Sequence, residues 1–465
     1  MLTSSWSYLF CSYSKNRRIV SFFVFCLLAS WTIQISLHSP VTFDEAFYWN
    51  YYRYSTLFNI IGDFSVSWGN QVPFTLLQSK ISPEMISLSP WFIRLISTTI
   101  GITLMGLVIF QSTKTSSRVF LPVLIIIGSP MIFSYLFIAR SYSLTALLCV
   151  VTFFTTSRFP TTNKQTFARL LAGVVPLAIA IWALPTLVFI VPSFLFFQFL
   201  RRGFAQFLIQ FLFLTLLIVI SFASKFTKML KLAHNNPWTG SPSFTDYANN
   251  FSFQWLLTGV AFCLILSPFL VHARQFLREP LSFKQYVSSL SARNFVAIAT
   301  ICTGLSYFFI TYFAYLFGME WPFARNAVGP LWLVITGISM LPTIPHTRAK
   351  LIYPLLTATA IIGLSSLTSG LNNGDWQRIN PVLTQTVPAT IRDLQGNGVT
   401  HIICSMYDAP VCTLSIGLLQ SQNITMQQGD ELIPNLSCVI GTHKPPPEWQ
   451  VRLYKGDKLW GQLCH

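Results

Sequence analysis

The chain has 465 residues, 52% of them hydrophobic and only 9% charged, with a mean hydropathy of +0.56. Soluble domains carry roughly 25% charged residues, so a wholly water-solvated fold is excluded. The net charge of +16 does not signal nucleic acid: 24 Lys and Arg stand against 7 Asp and Glu up to Ser369, and 6 against 7 beyond it. The excess therefore belongs to loops between apolar segments, where Lys and Arg set topology.

Apolar runs fit to cross a hydrocarbon core of about 30 Å are predicted at 19–37, 91–110, 119–137, 141–157, 169–183, 185–200, 204–223, 255–271, 295–314, 328–343 and 350–367. The fold class expected is an all-α polytopic membrane protein with about eleven transmembrane helices over 1–369 and a small α/β soluble domain over 370–465. The first run follows Lys15, Arg17 and Arg18 and has no small-residue cleavage site after it, so it reads as a retained anchor with the N-terminus in the cytoplasm. Alternating from there, 16 Lys and Arg fall on the cytoplasmic side and 8 outside, as the positive-inside rule requires. Of the seven acids before the tail, only Glu279 falls inside; Asp44, Glu45, Asp63, Glu84, Asp246 and Glu320 all fall outside. This bias places the expected working face outside, together with the tail.

The first outer loop spans about 38–90. Phe47, Tyr51, Tyr54, Phe58 and Ile61 recur there at helical spacing, an aromatic stripe suited to a helix in the headgroup region. In the tail, Asn372-Asn373-Gly374 and Gly396-Asn397-Gly398 are turn signals and His401–Cys404 reads as a strand. Cys404, Cys412, Cys438 and Cys464 allow two disulfides in three connectivities if the tail faces an oxidising compartment. No C-x-x-C spacing is present, and no metal site is assigned.

Three outer-face features carry chemistry. Asp44-Glu45 forms the adjacent acid pair just past the first span, within Phe43-Asp44-Glu45-Ala46-Phe47-Tyr48-Trp49. Arg140 lies between two spans in Ala139-Arg140-Ser141-Tyr142-Ser143-Leu144, and Arg325 follows Glu320 in Glu320-Trp321-Pro322-Phe323-Ala324-Arg325-Asn326. An arginine at membrane depth is costly unless it meets a cavity or a partner; the plain alternative for Arg140 is snorkelling or a helix-packing ion pair. Guanidinium groups bind phosphate in a bidentate fork and stabilise the charge on a leaving phosphate. A carboxylate beside them can take the proton of an acceptor hydroxyl. Base and leaving phosphate on opposite faces of the sugar would give inversion.

The Asp-Glu-Ala-Phe-Tyr-Trp stretch, the loop ending Trp68-Gly69-Asn70-Gln71-Val72-Pro73-Phe74, the following Trp91-Phe92-Ile93-Arg94-Leu95 and the Ala-Arg-Ser-Tyr-Ser-Leu element resemble GT-C glycosyltransferases. The similarity is to the branch with protein O-mannosyltransferases, lipid A aminoarabinose transferase and bacterial mannosyltransferase-like proteins, and it covers roughly 19–340. The resemblance implies an inverting transferase that uses a sugar on a polyprenyl phosphate and serves cell-envelope glycan biosynthesis, with a lipid, glycan or protein acceptor. It implies Asp44 as catalytic base with Glu45 its neighbour, and Arg140, Tyr142 and Arg325 at the donor phosphate. Arg94, Glu320, Asn70 and Gln71 are candidates for substrate binding, although Arg94 is expected first of all to pair with a loop acid. Many relatives carry His-Pro-Pro or Asn-His-Pro late in the first loop, where this chain has Asn70-Gln71-Val72-Pro73, and Asn326 replaces the Tyr after the late arginine. Cofactor use is accordingly open, a divalent cation being the one candidate. The expected location is a bacterial inner membrane with the site facing the periplasm or exterior, or the endoplasmic reticulum in a eukaryote.

Other features have plainer readings. Lys225, Lys228 and Lys231 form a headgroup-contacting row, His38 is a lone interfacial histidine, and Asn250, Asn423 and Asn435 begin Asn-x-Ser/Thr triplets that matter only in a eukaryotic host. Two competing functions are a lipid or glycolipid flippase, against which stands the lack of matching broken spans in two halves, and a non-catalytic relative that kept the scaffold.

Overall fold

The computed structural model describes residues 17–38, 45, 49, 72–82, 85, 90–115, 120–128, 133, 135–157, 166–222, 292–316, 327–340, 354–362, 401–404, 425–428, 437–441, 450–453 and 460–463. The helices are α1 (Arg17–His38), α2 (Val72–Gln78), α3 (Leu95–Thr115), α4 (Phe120–Ile127), α5 (Tyr142–Ser157), α6 (Thr166–Ala183), α7 (Val191–Arg202), α8 (Phe204–Phe222), α9 (Ala292–Leu316) and α10 (Val328–Met340), with a further helical segment at 354–362. Short 3-10 turns, Pro90–Arg94 and Pro185–Ile190, lead into α3 and α7. The chain divides into two compact units, one of Met1–Ile33, Ile61–Phe74 and Ser97–Thr368, the other of Gln34–Ile60, Thr75–Ile96 and Ser369–His465.

Among the described residues, four helical stretches are long and apolar enough to cross a membrane: Arg18–Leu37, Trp91–Ser112, Phe204–Phe222 and Asn294–Thr311. Their surfaces explain the composition. Helix α8 leaves Phe204, Leu212, Leu216, Val219 and Ile220 more than half exposed, and α1 does the same with Ile19, Phe22, Phe23 and Leu27. That much contiguous apolar surface has no stable contact with water; hydrocarbon is the solvent that accommodates it. The chain is an integral membrane protein.

Hydroxyls inside these helices obey the same constraint. Thr32, Thr152, Thr300, Thr311 and Thr336 each donate to the carbonyl four residues earlier, at 2.6–2.8 Å, so these five donors do not face lipid or core unpaired. In the first unit, α5 packs on α6 and α10, α9 on α10, and α8 on α6 and α7. Glycines permit the closest of these approaches. A methyl group at Gly304 would fall 2.5 Å from the Pro330 carbonyl oxygen, and one at Gly337 would fall 2.7 Å from the Ala297 oxygen.

The predicted span at 119–137 is not one continuous helix. α4 stops at Ile127, Gly128 N–H closes it on Leu124 O at 2.8 Å, and residues 135–141 are turns and bends. Ser129-Pro130 in the sequence gives the reason, since proline removes a donor and disfavours helical geometry before it. The predicted 185–200 span likewise opens as a 3-10 turn before α7, and 255–271 lies outside the described residues.

In the tail, β1 (His401–Cys404), β2 (Thr425–Gln428), β3 (Ser437–Gly441), β4 (Gln450–Leu453) and β5 (Trp460–Leu463) form one mixed sheet of order β2-β1-β3-β5-β4. β1 is parallel to both β2 and β3, with Ile402 opposite Met426 and Cys438. β5 runs antiparallel to β3 and β4. The strand predicted at His401–Cys404 is the centre of the parallel half. Helices of an α/β domain would fall in segments outside the described residues.

Candidate active site

In the second unit, a buried ion pair joins Glu45, in the segment after α1, to the 3-10 turn ahead of α3. Glu45 and Arg94 are 0% and 1% exposed. Arg94 Nε donates to Glu45 Oε1 and Nη2 to Oε2, both at 2.7 Å, and Nη1 donates to Ser36 O at 3.1 Å. This is the fork geometry in which guanidinium and carboxylate match best. Around it, Gln78 Nε2 donates to the Glu45 carbonyl at 3.4 Å, Trp91 Nε1 to Ser36 Oγ at 2.8 Å, and the fully buried Trp49 donates its indole N–H to Ile81 O at 3.0 Å. Glu45 and Trp49 are both helical and four residues apart, the spacing that puts two side chains on one face.

Each partner serves a local reason. Arg94 closes the 3-10 turn Pro90–Arg94, whose proline fixes φ where a chain enters a helix. Its guanidinium thereby reaches back to Ser36 near the end of α1. The arginine and glutamate neutralise each other where either alone would be costly. The expected pairing of Arg94 with a loop acid is thus present, and the acid is Glu45. Both carboxylate oxygens of Glu45 accept a hydrogen bond from this one guanidinium.

In the first unit, the turns at 135–141 carry Arg140, which is 8% exposed. Its backbone N–H donates to Ile138 O at 2.6 Å. Ser97 Oγ holds the turn from α3 by donating to Phe137 O at 2.7 Å. Gly101 lets α3 come close, since a methyl there would sit 2.8 Å from Leu136 O. Tyr142, the first residue of α5, is buried and meets Tyr135 edge-on, ring centroids 4.9 Å apart. Ser141 Oγ donates to Ala183 O at 3.2 Å, which brings the start of α5 to the end of α6.

Asp44, Asn70, Gln71, Glu320 and Arg325 lie outside the described residues; Arg325 stands three residues before α10 in sequence. The aromatic stripe of the first loop lies outside them as well. Sequence reasoning did not single out Trp49, Gln78 or Ser36. For Trp49 the signal was present, because it stands one helical turn from Glu45. Among the described residues no three His, Cys, Asp or Glu side chains gather as a metal site would need.

No protein-family model matches the sequence, and no curated protein matches it. Among solved structures, the chain is similar to the crystal structure of ArnT from Cupriavidus metallidurans bound to undecaprenyl phosphate, at 14% identity over 88% of this chain and 76% of that one, with a TM-score of 0.39. Likeness of that size does not fix a shared fold.

Proposed function

We propose that the chain is an inverting glycosyltransferase of the GT-C kind, which moves a sugar from a polyprenyl-phosphate donor to an acceptor hydroxyl at the outer membrane face. The observation that carries this reading is Arg140, a buried arginine held in an irregular turn directly ahead of a helix N-terminus in a membrane protein. Such a placement is expensive and suits an anionic lipid headgroup.

In the reaction, Asp44 removes the proton of the acceptor hydroxyl as its oxygen attacks the anomeric carbon. The bond from that carbon to the phosphate oxygen breaks, and the polyprenyl phosphate leaves with the electron pair. Arg140 and Arg325 neutralise the departing oxygens, with Tyr142 beside them. Glu45 takes a different part from the one its sequence neighbourhood implies: clamped by Arg94, it positions the chain at Asp44 and leaves the proton to that residue. Glu320, Asn70 and Gln71 stay assigned to substrate binding, and the acceptor is a lipid, glycan or protein hydroxyl.

Transfer from a panel of polyprenyl-phosphate-linked sugars, measured in detergent without any gradient, tests the reading. Asp44→Asn should lower the rate by about 10²- to 10⁴-fold while donor binding stays near wild type. Gradient-dependent movement of the lipid across sealed vesicles with no transfer would replace the enzyme by a flippase. Donor binding with neither transfer nor movement would leave a non-catalytic relative.

A further inference from the structure

Two hydroxyls near the junction of α5 and α6 share a feature. Ser143 is fully buried, and its Oγ has no hydrogen-bond partner among the described residues; Oγ1 of the half-buried Thr186 also has none. Their neighbours are satisfied: Thr145 donates to Tyr142 O, Ser141 to Ala183 O and Thr152 to Leu148 O. Ser143 cannot use that local solution. The residues three and four before it, Arg140 and Ala139, lie in bends ahead of the helix, so their carbonyls are not stacked beneath it. A buried hydroxyl left unpaired is unfavourable, and it invites a ligand.

The surroundings indicate which ligand. Ser143 is the second residue of α5, and helical side chains tilt toward the N-terminus, where backbone N–H groups and the helix dipole favour an anion. Arg140 stands three residues ahead of Ser143. Thr186 reaches the same end of the bundle, because Ser141 is bonded to Ala183, three residues before it. Leu184, ahead of Pro185–Ile190, offers no side-chain cap to that turn. The first turn of α10 adjoins both segments: a methyl group at Gly329 would lie 3.4 Å from Leu187 Cδ2 and 3.6 Å from Cys149 Sγ.

We propose that Ser143 Oγ, assisted by Thr186 Oγ1, is a binding residue for a phosphate seated at the N-terminus of α5 beside Arg140. Resting on the reading above, it identifies that phosphate as the one carried by the polyprenyl donor. Each hydroxyl donates to a phosphate oxygen, the serine along the helix axis and the threonine from the neighbouring turn.

The test uses the full-length protein in detergent and three probes: a polyprenyl phosphate, the matching polyprenol and inorganic phosphate. Ser143→Ala should weaken polyprenyl phosphate binding by roughly 10-fold or more, leave polyprenol binding unchanged and leave the melting temperature the same or higher, since an unpaired hydroxyl is removed. Thr186→Val should weaken it less, and Ser143→Thr should retain most of the affinity. Wild-type phosphate affinity in Ser143→Ala, with Arg140→Ala still weakened, would overturn the role of Ser143 and leave the donor reading standing. No affinity of the wild type for polyprenyl phosphate would overturn both. Displacement of the lipid by equimolar inorganic phosphate would overturn the lipid assignment in favour of a free anion.

Discussion

The Glu45–Arg94 pair makes the most direct quantitative claim of the structure. Arg94→Ala removes two charge-assisted bonds of 2.7 Å and one of 3.1 Å and leaves a carboxylate that is 0% exposed without its counter-charge. Breaking a buried pair from one side costs about 3–5 kcal/mol. Glu45→Gln should cost less than Arg94→Ala, because a neutral amide can still accept from the guanidinium. Replacing both residues by apolar groups of similar volume, Glu45→Leu with Arg94→Met, should recover a large part of the single-site loss, since no lone charge stays buried. Unfolding in detergent for wild type, both single apolar variants and the double variant gives the coupling energy, expected at about 2–3 kcal/mol, the upper part of the range for residues in contact. Arg94→Lys should fall between, because one ammonium cannot reproduce the fork. Additive single effects, with coupling below about 0.5 kcal/mol, would refute the claim that the pair is closed and buried. Loss of transfer activity in the double variant with stability restored would then identify the pair as positioning Asp44, a readout that packing alone would not move.

Further outcomes follow from packing, topology and the phosphate. Gly337→Ala and Gly304→Ala drive a methyl into backbone and side chains of the facing helix and should each cost about 1–3 kcal/mol by thermal unfolding in detergent; a neutral result would mean that α9 and α10 are further apart. Single cysteines introduced beside Arg140, Arg325 and β1 should react with impermeant reagents in intact cells or spheroplasts; reaction only after the membrane is opened would reverse the orientation drawn from loop charge. Arg325→Ala should weaken polyprenyl phosphate binding by a factor that lysine restores only in part; lost stability with unchanged lipid affinity would make it a structural arginine.

What the sequence disclosed follows from the reach of each physical signal. The excess of apolar residues and its grouping into long runs is local, so α1, α3, α8 and α9 were readable with boundaries close to those observed. The run at 119–137 extends through Gly128 and 135–137, which are turns, because hydrophobicity says what a segment is dissolved in and not whether it is helical. Strand β1 announces itself by a compact apolar stretch. Thr425–Gln428 lacks a clean alternation, and Gln450–Leu453 alternates over only four residues; both take their strand character from their neighbours in the sheet, information no four-residue window contains.

The same distinction of reach separates the site residues. Arg94 could be expected to find an acid, since a charge at the start of a span demands one, but only the fold selects Glu45 from 49 residues away. An Asp-Glu pair reads in sequence as two equivalent carboxylates. The structure shows what one of them meets, because both Glu45 oxygens accept from the buried Arg94 guanidinium at 2.7 Å, a contact that the adjacent letters of the sequence do not disclose. Ser143 shows the converse. A serine in an apolar helix ordinarily returns its hydroxyl to the backbone and passes unnoticed. It becomes informative only where the helix begins, because there the carbonyl it would use is missing; the run predicted at 141–157 already set that start beside Arg140, but that Ser143 is buried without a partner among the described residues is visible only once the chain is folded.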